Sequence, residues 1–303
     1  MSEPASGAEP PGTPRTPRVA GARKLLRRAG RERAGRFLVE GARSVREALD
    51  WARAGGRVHE LFVTAAAAAR HRDLVTAAAA AGARVSPVTD HAAAVLSDTV
   101  TPQGLVAVCD LLDVPLDRAL AGDPGLVAVP VGVADPGNAG TIIRVADAAG
   151  ADAVLLAGDT VDPHNGKAVR ASSGSVFHLP IARERDAAAV AAACRGVGLT
   201  LLAADARGEV DLHDPAAAPL LAAPVAWLFG GEAHGLPAAV LAAADHRVRV
   251  PLHGRAESLN LAAAAAVCLY AGAAARARPA QRDEHPVGGD GHGRGAARAS
   301  SQP

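Results

Sequence analysis

The stretch "ADPGNAGTIIRVADAAGA", residues 134–151, decides how this chain is read. Before it stand Val127, Val129, Val131 and Val133, an alternation of β-branched residues that predicts a strand. Asp135-Pro136-Gly137-Asn138 is turn chemistry, with Asn138 placed to cap the helix that follows. Ile142, Val145, Ala146 and Ala149 recur at i, i+3, i+4 and i+7, so one apolar stripe would face a sheet. Arg144 falls outside that stripe, at the carboxyl end of the strand, where open α/β sheets bind ligands. An ordinary strand-to-helix turn accounts for the Pro and the Gly. Folding alone does not ask for Asn, Gly and Arg together.

The same alternation extends in both directions. "LVAVPVGVAD", "ADAVLLAG", "SVFHLPIA", "LTLLAAD", "PVAWLFGG" and "HRVRVPL" read as strands. Helices are predicted in "AGTIIRVADAAG", "DAAAVAAACRGVG", briefly from Pro237, and at length from near Ser258, while 158–175 reads as loop. Continuous Val/Leu/Ala runs between helices predict a mostly parallel sheet covered on both faces. From about 19 to 112 a smaller α/β unit is expected. Its helix "ARSVREALDWARAGG" carries Val45, Leu49 and Ala52 on one face, between "FLVEG" and the strands "VHELFVT", "ARVSPVT" and "TPQGLVAVCDLL". Residues 113–125 read as a linker. Residues 1–18, rich in Pro, Ser and Gly with no apolar core, read as a disordered tail rather than a signal peptide, and 276–303 as a second tail.

Composition narrows the function classes. Hydrophobic residues make up 49% of the 303 and aromatics 2%, so Ala, Val and Leu must build the core. A surface of stacked aromatics, as in single-strand binders, is disfavoured. The net charge of +1 favours no partner, but from Arg15 to Arg46 eleven Lys or Arg face two acids, Glu32 and Glu40. Coding bias toward Arg would be spread along the chain, whereas a cluster points to phosphate or nucleic acid. Arg23, Lys24, Arg27, Arg28, Arg36 and Arg43 are the candidate RNA contacts. Cys109, Cys194 and Cys268 are far apart and the histidines lack HExxH spacing, so no metal site is expected and a reducing, cytoplasmic compartment is. "LAAAAAVCLYAGAAA" is too short and too rich in Ala for a membrane span.

Two further stretches carry chemistry. In "WLFGGEAHGLP", 227–237, an apolar strand runs into Gly230-Gly231 and Glu232, where glycines permit close backbone approach by a ligand. It is not a dinucleotide fingerprint, because the third glycine is misplaced and Pro237 follows; this disfavours an NAD-dependent enzyme. In "VRVPLHGRAESLNLAAAAAVCLYA" a strand leads to Ser258, the expected cap, with Leu259 and Asn260 in the first helical turn. Asn inside a helix is unfavourable, which singles out Asn260.

In this order and spacing, "DPGNAGTIIRVADAAGA", "LFGGEAHGLP" and "VPLHGRAESLNLAAAAAVCLY" resemble the three motifs of the SpoU-type (TrmH-like) RNA ribose 2′-O-methyltransferases of the SPOUT superfamily. "GKAVRASSGSVFHLPI" is similar to the family's connector between the first two motifs. The likeness covers roughly 126–275. "RFLVEGARSVREAL" and "TVTPQGLVAV" resemble the small ribosomal-protein-like RNA-binding domain that precedes this catalytic domain in ribosomal RNA methyltransferases. The resemblance implies a trefoil-knotted α/β fold, a homodimer with the knot at its interface, and S-adenosylmethionine as cofactor. It assigns catalysis to Asn138, Arg144, Glu232, Ser258 and Asn260, and cofactor contacts to Gly230, Gly231, Val250, Leu252 and Leu259. Where the family often carries Asn in its second motif, this chain has Gly231. The implied substrate is large-subunit (23S) ribosomal RNA. Transfer RNA, an antibiotic-resistance role and a non-catalytic RNA-binding or ribosome-assembly factor are the alternatives.

Overall fold

The structure, a computed structural model, describes residues 10–232 and 234–277. Of the expected tails 1–18 and 276–303, residues 1–9 and 278–303 lie outside the described residues. Two sheets organise the rest. The first holds β1 (Arg36–Glu40), β2 (Val58–Val63), β3 (Arg84–Pro87) and β4 (Leu105–Asp110) in the order β1-β4-β2-β3. β4 runs antiparallel to β1 and β2, and β3 is parallel to β2. Successive residues of β1 serve opposite faces. Phe37 and Val39 join Val45, Ala48 and Leu49 of the helix Ala42–Arg53, while Leu38 packs with Val19, Leu25 and Leu96. Residues 10–18, expected to belong to a disordered tail, are packed in the structure. Gly12 donates to the Pro87 carbonyl at 2.8 Å and accepts from Thr89 at 3.0 Å, and a helix begins at Pro17. Pairing with the edge of β3 satisfies backbone groups that a polar composition does not reveal.

The second sheet holds β5 (Leu126–Val131), β6 (Ala153–Ala157), β7 (Ile181–Glu184), β8 (Thr200–Ala204), β9 (Val210–Asp211), β10 (Val225–Gly230) and β11 (His246–Arg249). The order is β7-β6-β5-β10-β8-β11-β9, and every pairing is parallel. Leu126, Ala128, Trp227 and Phe229 pack on one face with Ile142, Ile143 and Leu269. Val127, Val129 and Leu228 pack on the other with Val190 and Cys194. Burial on both faces is why these strands read as continuous apolar runs.

Three local readings are revised. The stretch 158–175 contains a helix, Gly166–Ser172, capped by Asn165, which accepts from Lys167 N at 2.9 Å. Its first residue is a glycine and it spans only seven residues, so no 3.6-residue stripe announces it. "SVFHLPIA" opens with a 3₁₀ turn, Ser175–Phe177, and the strand starts at Ile181. Residues 113–125 are packed rather than free. Val114 donates to the Ile181 carbonyl at 2.9 Å, and Ala119 and Leu120 are buried.

A buried polar network joins the two sheets' units. Arg31 is 3% exposed and donates to Asp162 through Nε at 2.8 Å and to the carbonyls of Leu25 and Leu26. His164 accepts from Leu112 N at its Nε2, 3.0 Å away, which leaves Nδ1–H to face Asp162 Oδ1 at 3.2 Å. Burial opposes ionisation of Asp162, but the His164 hydrogen bond and the charge of Arg31 prevail and hold its carboxyl well below the usual range. Among the described residues no helix is long and apolar enough to cross a membrane.

Candidate active site

At the carboxyl ends of β8, β10 and β11 lies a pocket of about 440 Å³, walled by Phe229, Val248, Val250, Leu252, Leu259 and Leu261. Gly230, Gly231, Glu232, Ser258, Asn260 and Asp205 also line it. Volume and lining match a small-molecule site with few, placed polar groups. Among the described residues its only charged side chains are the carboxylates of Asp205 and Glu232.

The first motif forms the helix Pro136–Ala148, and its cap is Asp135, whose Oδ1 accepts from Asn138 N at 2.9 Å. Proline suits the first helical position, so Asp135 rather than Asn138 becomes the cap. The side chain of Asn138 is thereby released. Its Nδ2 donates to Glu232 Oε1, and its Oδ1 accepts from Asn260 Nδ2 at 3.3 Å. Asn260 in turn accepts at Oδ1 from Ala262 N at 2.9 Å and Ala263 N at 3.3 Å, which caps the helix Leu261–Ala277. Ser258, expected as that cap, stands two residues earlier in the pocket wall. The two backbone amides fix which end of the Asn260 amide is oxygen. That choice orients Asn138, whose amino group then faces a carboxylate, so the chain of donors is set end to end.

Asp135 also accepts from Lys167 Nζ at 2.6 Å. This bond and the one from Asn138 N keep its carboxyl below the usual carboxylate range. The second motif's glycines are required by the chain itself. A Cβ at Gly230 would stand 2.2 Å from the Gly235 carbonyl carbon, because the turn folds back with Gly235 N donating to Gly231 O at 2.9 Å. A Cβ at Gly231 would meet the Gly132 carbonyl oxygen at 2.6 Å. The close approach read from sequence as a ligand's is first of all an approach of backbone to backbone.

The structure thus gathers Asn138, Glu232, Ser258 and Asn260 with Gly230, Gly231, Val250, Leu252 and Leu259. It does not bring Arg144 to them. Arg144 is exposed and absent from the pocket wall, six residues beyond Asn138, about 9 Å along the helix and about 120° around it. Arg23, Lys24, Arg27, Arg28, Arg36 and Arg43 are all exposed, though Arg28 pairs with Glu32 at 2.7 Å and Arg36 with Asp110 at 3.8 Å. Arg31, counted in the same cluster, is structural. Sequence reading missed Asp135, Lys167 and Asp205, since an Asp after a strand carries no local signal of its own.

The chain resembles known proteins over most of its length. Residues 125–270 match the family model of the SpoU rRNA Methylase family, and residues 16–107 match the MRM3-like substrate binding domain. The chain is 33% identical over 255 residues to the 23S rRNA (guanosine(2553)-2′-O)-methyltransferase RlmP of Bacillus subtilis, covering 82% of this chain and 92% of that protein. The AdoMet-bound rRNA methyltransferase from Sinorhizobium meliloti superposes with a TM-score of 0.73 at 33% identity, covering 84% of this chain and 94% of the other. The SpoU methyltransferase AviRb from Streptomyces viridochromogenes, in complex with AdoMet, gives 0.74 at 31% identity, over 86% and 98%. With its motif residues joined at one pocket and its length shared with these proteins, the chain belongs to the SpoU rRNA methylase family.

Proposed function

We propose that the protein is an S-adenosylmethionine-dependent RNA ribose 2′-O-methyltransferase acting on 23S ribosomal RNA. The observation that carries this reading is the hydrogen-bonded row Glu232–Asn138–Asn260, drawn from three distant motifs to the edge of one pocket. The pocket fits the cofactor chemically. Val248, Val250, Leu252 and Leu259 offer apolar surface to a purine, and the carboxylates Asp205 and Glu232, with no basic side chain in the lining among the described residues, favour a cation. Backbone groups of Gly230, Val250 and Leu259 would hold the adenosyl part. When bound, S-adenosylmethionine supplies a methyl group already activated on sulfonium.

The chain's own work is to present a ribose hydroxyl in line and to ease loss of its proton. Orientation of this kind is worth about 7–11 kcal/mol. Asn138 and Asn260, each held at both ends of its amide, are pre-oriented for that task, with Glu232 fixing Asn138. A guanidinium is a poor base. Arg144 is therefore assigned to phosphate clamping and to stabilising developing charge on the ribose oxygen.

The small N-terminal unit would select RNA by shape, helped by Arg23, Lys24, Arg27 and Arg43, whose phosphate contacts weaken with salt. We assign units to residues 19–112 and 126–275, a trefoil knot to the second, and a homodimer through the same region. The distance of Arg144 from its own pocket and the exposure of Tyr270 on the helix Leu261–Ala277 support a partner copy there. We assign the protein to the cytoplasm, a reading supported by the 23S rRNA substrate named for its relatives.

The test is methyl transfer from labelled S-adenosylmethionine to unmodified ribosomal and transfer RNA, with Arg144→Ala alongside. The expected product is a 2′-O-methylated nucleotide in 23S RNA, reduced at least about 100-fold in the variant. Label in transfer RNA would keep the chemistry and change the substrate. Cofactor binding without label in any RNA would favour the assembly-factor reading.

A further inference from the structure

The helix Gly166–Ser172 stands between the two units and is held by both. On one side Val169, 1% exposed, packs into the core of the N-terminal unit with Phe37, Val39 and Val45. Arg170 beside it donates to Asp98 and lies 3.7 Å from Glu40, a carboxylate that also accepts from Ser97 at 2.7 Å and Thr99 at 3.0 Å. On the other side the Ala168 backbone seats against Gly140 of the helix Pro136–Ala148, where no Cβ would fit. This anchored helix carries Lys167. Lys167 Nζ donates to Asp135 Oδ2 at 2.6 Å, and its stem runs over Gly137, where a Cβ would lie 3.1 Å from Lys167 Cε. The opposite oxygen, Asp135 Oδ1, accepts from the Asn138 amide at 2.9 Å. One carboxylate therefore links a lysine outside the three motifs to the backbone of Asn138, whose side chain joins Glu232 and Asn260. With both oxygens held, the carboxylate plane cannot turn away from that amide. Lys167 and Asp135 are 54% and 43% exposed, so their pairing adds little to stability. Its effect is on geometry.

We propose that Lys167 is a positioning residue for methyl transfer: by holding Asp135 it fixes the first turn of the helix Pro136–Ala148, and with it the Asn138 side chain that presents the ribose. This rests on the function proposed above. A displacement of about 1 Å at a reacting group costs about 100-fold in rate, so a pair too weak to matter for folding still governs turnover. The competing role for Lys167 is a phosphate contact through its remaining N–H donors. The two roles move different constants. Positioning acts within the bound complex and sets kcat, whereas a phosphate contact sets RNA affinity and its salt dependence.

Steady-state methyl transfer from S-adenosylmethionine to unmodified 23S RNA, with the full chain, tests this. Lys167→Met keeps the stem and removes the charge, and Lys167→Arg restores a donor. The Met variant is expected to lose at least about tenfold in kcat, with KM for RNA within about twofold of wild type. Its salt slope for RNA binding should equal that of wild type, and the Arg variant should regain most of the rate. Both should melt near the wild-type temperature, the pair being half exposed. Asp135→Asn leaves an acceptor for the Asn138 amide and removes the charge that draws Lys167. Combined with Lys167→Met it should be no slower than the slower single variant, because both break one link. A kcat within about twofold of wild type in Lys167→Met, or losses that multiply in the double variant, overturns the proposal. So does a raised KM with a salt slope smaller by about one, the mark of a phosphate contact. Failure of the wild type to methylate 23S RNA overturns instead the function on which it rests.

Discussion

Asn260 gives its carbonyl oxygen to the amides of Ala262 and Ala263 and its amino group to Asn138, so helix and site depend on one side chain. The two duties separate by substitution. Asn260→Ala loses the cap and should cost about 0.5–2 kcal/mol, read as a lower denaturant midpoint. Asn260→Asp keeps a good cap acceptor and should melt near wild type. It lacks the donor to Asn138 and adds a carboxylate near Glu232, so methyl transfer should fall in both variants. Wild-type turnover in the Asp variant would remove Asn138–Asn260 pairing from the mechanism. At this scale the sequence identified the residue by its awkwardness inside a helix. It misassigned the helix start by two residues, because Ser258 and Asn260 are both competent caps and only the packed loop chooses between them.

The helix Pro136–Ala148 is held by its neighbour Gly166–Ser172 through a point of contact at Gly140. A Cβ there would lie 2.2 Å from the Ala168 carbonyl oxygen and 2.8 Å from the Ala171 Cβ. Alanine is the better helix former by about 1 kcal/mol, so propensity alone makes Gly140→Ala stabilising. Packing decides otherwise, because the obstacle is backbone and cannot rotate away. The substitution should destabilise by about 1–3 kcal/mol net and lower the melting temperature. A rise in melting temperature would mean that the two helices separate at little cost. The glycine was visible in the sequence at the start of the expected helix, but its partner helix was not, and without the partner its role could not be read.

Arg31 and Asp162 bind the two units across 131 residues of chain, at 4% and 5% side-chain exposure. Removing one partner strands the other charge, so Arg31→Ala should cost about 3–5 kcal/mol at neutral pH in chemical denaturation. The sign of its pH dependence follows from Asp162. A carboxyl held low in the folded state adds stability above the ordinary carboxylate range and loses it as pH falls through the depressed value. Without Arg31 that depression is smaller and Asp162 protonates sooner. The penalty should therefore be largest near neutrality and shrink in acid. A penalty independent of pH would mean that Arg31 acts through packing and its bonds to Leu25 and Leu26 alone.

What the sequence determined by itself was local and periodic. The apolar runs of β5, β6 and β10, the stripe of Ile142 and Ala146, and the three motifs with their order are written in residue types at short range; they indicated the fold and, through the resemblance they carry, the family and half of the pocket wall. The tertiary structure decided which atoms meet. Asp135 took the cap and released Asn138, Glu232 and Asn260 came to it from 94 and 122 residues away, and Arg144 was left outside. A structural Arg31 within a basic cluster is likewise a fact of burial. Burial and pairing depend on what the rest of the chain brings to a point in space, and short-range sequence pattern does not encode that.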